Sequence, residues 1–199
     1  MNPSSLCRSG SGDARPYWIN MGLFYPAILG ALIYEIGPSL YSLPWTWGPA
    51  RILVFVMLLH YALDYAYSAD DRSKAEYSWC KFPFDFALVW LLYAAVRTAN
   101  ASILEPSSVV SVCWLLLLTK ICAFAWEFVS DRDQSAKKLA IASDIIPLLG
   151  YALLIFLYTN GAAVPQGVIK LLIAVVIIDA VLYWIHEPLY KLFKTGAAK

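Results

Sequence analysis

Hydrophobic residues in this chain form six long, continuous runs and do not alternate with polar ones. The runs cover about residues 17–36, 49–68, 83–104, 108–129, 139–159 and 166–187. Each is close to the roughly 20 residues that a helix needs to cross a bilayer. Continuous apolar runs favour helices over the strands of a membrane barrel, which alternate. The pattern therefore predicts an all-α polytopic membrane protein, built as a six-transmembrane-helix bundle.

The segments between and around the runs set the predicted organisation. Residues 17–190 form the transmembrane domain, 1–16 a disordered tail rich in Ser and Gly, and 191–199 a short basic tail. If six helices alternate in direction, eleven of the Lys and Arg residues fall in segments on one side of the membrane, and only Arg51 and Arg97 lie near the other. Because positive loops stay inside, both termini are predicted to be cytoplasmic.

Composition agrees with an integral multi-pass membrane location, in a plasma, inner or internal membrane. Of the 199 residues 60% are hydrophobic and 15% are charged, with a mean hydropathy of +0.61, whereas soluble domains carry about 25% charged residues. A net charge of +1 argues against nucleic acid as a partner. The four cysteines lack the spacing of a zinc site and indicate no disulfide framework. No cofactor or metal is expected.

Several polar side chains fall inside the predicted spans, where a charge is costly and usually functional. From the helical rise, Lys120 lies about 15 Å from the cytoplasmic edge, His60 and Asp179 about 12 Å, and Asp144 about 9 Å. Their predicted helix faces converge on one acidic cavity in the cytoplasmic half. The candidate cavity residues are His60, Asp64, Lys120, Asp144, Asp179 and Tyr183.

Two of the acids have a predicted structural role. Lys120 is predicted to pair with Asp179 near the membrane midplane, with Asp64 or Asp144 as alternative partners. Asp85 falls in the first turn of its helix, where an acid complements the helix dipole, and it is predicted to act as a cap.

The acidic cavity favours a small channel or an ion-coupled transporter. Chains of intramembrane Asp and His residues carry protons in such proteins. The expected partners are the lipid bilayer and a cation or a hydrophobic small molecule. A third class also fits, in which the chain is a membrane subunit or scaffold of a larger complex, as a homo-oligomer or beside another protein.

The alternative is a membrane enzyme that uses carboxylate acid/base chemistry on a lipid-soluble prenyl, terpenoid or lipid substrate. The run Ala125-Trp126-Glu127-Phe128 and the later Asp179-x-x-x-Tyr183 resemble motifs of the small membrane-bound terpene cyclases of meroterpenoid pathways. That family has seven spans where six are predicted here. The resemblance implies that Glu127 and Asp179 would be the catalytic carboxylates.

Overall fold

The computed structural model describes residues 15–40, 48–68, 79–101, 106–129 and 134–160, together with positions 170–171, 173–178, 181 and 185. Its helices are α1 (Arg15–Ile19), a π-helix (Asn20–Phe24), α2 (Tyr25–Leu40), α3 (Pro49–Ser68), α4 (Phe82–Ala101), α5 (Pro106–Val129) and α6 (Gln134–Thr159). Residues 173–178, within the sixth run, are also helical. No strand occurs among these residues, which confirms the prediction of an all-helical chain.

Within the part of the chain that the structure describes, three helical segments are long and apolar enough to cross a membrane. They are Tyr17–Gly37, Phe82–Asn100 and Val109–Val129. Two shorter apolar segments, Pro49–Leu63 and Asp144–Thr159, lie in α3 and α6. The structure thus supports membrane association through apolar helices, and the six-span arrangement stays a prediction.

Helix α5 is at the centre of the packing. Its most extensive contacts are with α4 and α6, while α4 also contacts α2 and α3. Small and branched side chains of α4 and α5, among them Ala95, Val96 and Val112, are fully buried. Small residues let helix backbones approach closely in a membrane protein.

Large apolar side chains also point away from this core. Trp90, Phe128 and Leu149 are each about 60% exposed or more (63%, 65% and 60%). In a soluble protein such a surface would invite aggregation, whereas in lipid it needs no cover. The outward surface of the helices therefore suits a bilayer.

The π-helix and the residue that follows it contact α3. Tyr25, directly after it, stacks between Tyr61 and Tyr65, with ring centroids 5.5 and 5.2 Å away. The Tyr65 hydroxyl donates a 3.0 Å hydrogen bond to the backbone carbonyl oxygen of Met21, within the π-helix. A π-helix displaces the ordinary hydrogen-bond ladder, and such bulges are frequent at functional sites.

Cys80 corrects one expectation from the sequence. It is disulfide-bonded, although the cysteine spacing indicated no disulfide framework. Cys113 and Cys122 carry free thiols. Spacing along the chain could not reveal the bond, because a disulfide depends on which distant segments meet in space.

Candidate functional site

A buried ion pair joins α5 and α6 inside the apolar part of the chain. The Lys120 ammonium donates a 2.6 Å hydrogen bond to Asp144 Oδ1. The two side chains are only 7% and 13% exposed. Lys120 lies near the middle of the Val109–Val129 span. Removing either charge would leave the other without compensation in a medium of low polarity, which costs free energy. The two side chains are therefore expected to stay in contact.

His60 brings a third helix to this pair. It lies on α3, which packs against α5, and the positive charge of Lys120 acts on its ring. We call His60, Lys120 and Asp144 the charged centre. An imidazole can both accept and donate a proton, a carboxylate can be protonated, and an ammonium can hold the carboxylate in place. The charged centre thus contains groups that could bind a proton or a small cation and release it again.

The structure brings together only part of the predicted cavity set. Lys120 bonds to Asp144, which was one of the two alternative partners, and His60 joins them. Asp64 is in α3, but its side chain is outside the described residues, as are Asp179 and Tyr183. Their part in the cavity stays a prediction.

A second group of buried polar side chains lies where α4 begins and α5 ends. Asn20 Nδ2 of the π-helix donates a 2.8 Å hydrogen bond to Asp85 Oδ2. One turn earlier, the Lys81 ammonium lies 4.7 Å from the centroid of the Trp126 ring, in a cation–π contact. Glu127 follows and is 7% exposed. We call these five residues the edge cluster.

The edge cluster shows what the sequence reasoning missed. Asp85 is in the first turn of α4, as predicted, but its carboxylate also serves a contact between helices. Asn20 and Lys81 are 3% and 2% exposed, and neither was a candidate. Asn20 could have been found as the lone amide in the first half of an apolar run. Lys81 reads in sequence as one more loop charge, and its burial under Trp126 carries no local signal.

The opposite ends of α2 and α4 are joined by an exposed ion pair. Arg97 Nη1 lies 2.9 Å from Glu35 Oε1, and Asn100 Nδ2 donates a 2.8 Å hydrogen bond to the Glu35 backbone carbonyl. The Arg97 side chain is 61% exposed. Such exposed pairs add little stability, so this contact serves mainly to align the helix ends.

The chain matches no protein-family model, and no curated protein or solved structure is detectably similar to it. Its function therefore has to be argued from the two polar groups themselves.

Proposed function

We propose that this protein is a small membrane channel or ion-coupled transporter, in which the charged centre carries a proton or a small cation through the helix bundle. The observation that carries the proposal is the buried ion pair between Lys120 and Asp144, whose Lys120 also acts electrostatically on His60 of α3. A purely structural role for such a pair is weakly motivated, because apolar residues of similar volume often give equal or greater stability.

The mechanism follows from competition for one carboxylate. At rest, Asp144 accepts the hydrogen bond of the Lys120 ammonium. A proton or cation that reaches Asp144 neutralises it and displaces Lys120. Once Lys120 is displaced, His60 can pass the proton on, because the positive charge of Lys120 then no longer opposes protonation of its ring. The two partners lie on α5 and α6, so opening and closing the pair would give two arrangements of these helices. A transporter needs two such states, with its site open to one side of the membrane in each.

The proposal includes six spans with both termini in the cytoplasm. The asymmetry of Lys and Arg supports this orientation. The disulfide at Cys80 points the other way, because disulfides persist mainly in oxidising compartments. The charge asymmetry extends over four separate segments, whereas the disulfide is a single bond, so the proposed orientation follows the charges.

Reporter fusions test this orientation. A green fluorescent protein fused after Lys199 should fluoresce, and alkaline phosphatase fused there should be inactive, because the C-terminus is proposed to be cytoplasmic. Phosphatase fused after Glu105 or Gly161 should be active. If phosphatase were active after Lys199 and inactive after Glu105 and Gly161, the true orientation would be the reverse of the proposed one, and Cys80 would lie on the oxidising side.

Transport itself is tested with the purified full-length chain in liposomes that contain a pH-sensitive dye. With an imposed membrane potential, the native protein should pass protons or, in a parallel arm, Na⁺. His60→Gln should lower the flux at least about tenfold, the size expected for losing one well-placed proton carrier, while leaving the Lys120–Asp144 bond intact.

Two further variants separate function from stability. The double variant Lys120→Met/Asp144→Leu should fold, since two apolar groups need no partner, yet pass no ions. Glu35→Gln, which removes a carboxylate from the exposed pair at the far helix ends, should transport like the native protein. Native flux through the double variant would refute the proposal.

The burial of Glu127 favours a second candidate, the prenyl-handling enzyme. A carboxyl group in apolar surroundings can serve as a general acid, and Glu127 is 7% exposed beside Trp126. In this case the native protein would show no ion flux, and Glu127→Gln would abolish the formation of a cyclised or modified lipid product. If the protein showed neither ion flux nor a modified lipid product, the third class, a membrane subunit of a larger complex, would be favoured.

A further inference from the structure

Polar side chains continue from the Lys120–Asp144 pair along α5 and α6. On α6, Asp144, Tyr151 and Tyr158 follow each other at seven-residue intervals, which places them on one face of the helix. On α5, Cys113 precedes Lys120 by the same interval. The two helices pack extensively against each other. We call Asp144, Tyr151, Tyr158 and Cys113 the polar seam.

The seam lies inside the core of the protein. Among the described residues, Tyr151 is the largest side chain that is fully buried. Placing a hydroxyl away from water costs free energy unless it is hydrogen-bonded, and phenylalanine would fill almost the same volume without that cost. Cys113, also fully buried, acts electrostatically on Tyr158 of the neighbouring helix. The hydroxyl of Tyr151 therefore needs an explanation other than packing.

The helical rise sets the distances along the seam. Seven residues rise about 10 Å, so Asp144 and Tyr158 are about 20 Å apart along α6, most of a hydrocarbon core of roughly 30 Å. Long side chains on a helix lean toward its N-terminus, so each tyrosine hydroxyl is expected on the Asp144 side of its own Cα. A water molecule with two hydrogen bonds spans about 5–6 Å. One or two waters therefore suffice to bridge each interval.

The chemistry of the seam suits a proton better than a metal ion. A tyrosine hydroxyl both donates and accepts a hydrogen bond. It can take a proton on its oxygen while its own proton leaves for the next water, and it is neutral again after the step. A hard cation that sheds its water needs several oxygen ligands at one point, whereas α6 presents one polar group of the seam in about two turns.

We propose that the transported ion is the proton, and that it moves between Asp144 and the Thr159 end of α6 through the hydroxyls of Tyr151 and Tyr158. This inference rests on the proposed function, because it adds a path to transport through the charged centre. In the proposed orientation the Thr159 end lies on the side opposite to the cytoplasm, so the seam connects the charged centre to that side.

The liposome assay with the full-length protein tests the path. Tyr151→Phe removes the hydroxyl and keeps the ring, so proton flux should fall at least about tenfold while the melting temperature stays close to native. Tyr158→Phe should lower the flux in the same way, and it changes a side chain that is only partly buried. Tyr34→Phe, the same change at a tyrosine that is 82% exposed on α2, is the matched control and should transport like the native protein.

The double variant Tyr151→Phe/Tyr158→Phe shows whether the two hydroxyls serve one path. Two breaks in one path slow the flow little more than one, so the double variant should lose only about twofold more flux than either single variant, whereas independent tenfold effects would multiply to about a hundredfold. Such multiplication, or native flux through both single variants, overturns the path, and a loss in His60→Gln in the same assay would leave the proposed transport standing. Passage of Na⁺ without protons overturns the assignment of the proton. If the native protein passes neither ion, the path and the proposed function both fail.

Discussion

Replacing Lys120 with methionine should destabilise the protein by about 3–5 kcal/mol, the usual cost of leaving one member of a buried ion pair alone. The reason is the position of Asp144, whose carboxylate accepts the 2.6 Å hydrogen bond from Lys120 and is 13% exposed. Without Lys120 that carboxylate keeps its charge in an apolar setting or takes up a proton, and both cost free energy. The measurement is reversible unfolding of the purified protein in mixed micelles.

A double-mutant cycle shows whether the loss belongs to the pair. Asp144→Leu alone should cost a similar amount, and the double variant Lys120→Met/Asp144→Leu should recover most of both losses, since neither apolar side chain requires a partner. Simple addition of the two losses would show that the residues are not coupled. Ile145→Ala is the matched control, because this neighbour of Asp144 is 45% exposed on the outer surface of α6 and should cost much less.

Helix existence and approximate limits could be predicted from sequence because they depend on local hydropathy. The run predicted at 49–68 coincides with α3, Pro49–Ser68, and the end predicted at residue 129 is the end of α5. In α6 the helix begins at Gln134, before the apolar run. Polar residues there can continue a helix beyond the part that hydropathy marks.

Side-chain partners could be predicted only within limits. Depth along the helices predicted Asp179 as the partner of Lys120, with Asp64 or Asp144 as alternatives, and the structure pairs Lys120 with Asp144. The choice of Asp144 depends on how α5 and α6 rotate and slide against each other, which is decided by the packing of many side chains together. The same holds for Lys81, whose contact with Trp126 joins residues 45 positions apart. Such contacts have no signature in a local pattern.

The second large effect is expected at Asn20, in the π-helix. Asn20→Leu should destabilise the protein by about 1.5–3 kcal/mol, the range for a hydrogen bond to a charged group. Asn20 Nδ2 donates a 2.8 Å hydrogen bond to Asp85, and both residues are buried, at 3% and 4% exposed. Leucine is similar in size to asparagine, so the variant creates no large cavity. The loss of stability would arise because the Asp85 carboxylate has lost its hydrogen-bond donor.

Asn20→Asp is the sharper variant, because it replaces the donor with a second carboxylate at hydrogen-bond distance from the first. Like charges that close cannot both remain ionised without cost, so this variant should be less stable than Asn20→Leu at neutral pH. Ile19→Ala, one residue earlier and 36% exposed, is the control for general disturbance of the helix and should cost less stability than either Asn20 variant.

Hydrogen exchange of the backbone amides around Met21 provides a second measurement. If the Asn20–Asp85 bond holds the π-helix in place, exchange there should accelerate in Asn20→Leu and Asn20→Asp but not in Ile19→Ala. Equal stability and equal exchange in all three variants would mean that the Asn20–Asp85 bond does not hold the π-helix, and that other contacts do, such as the bond from Tyr65 to Met21.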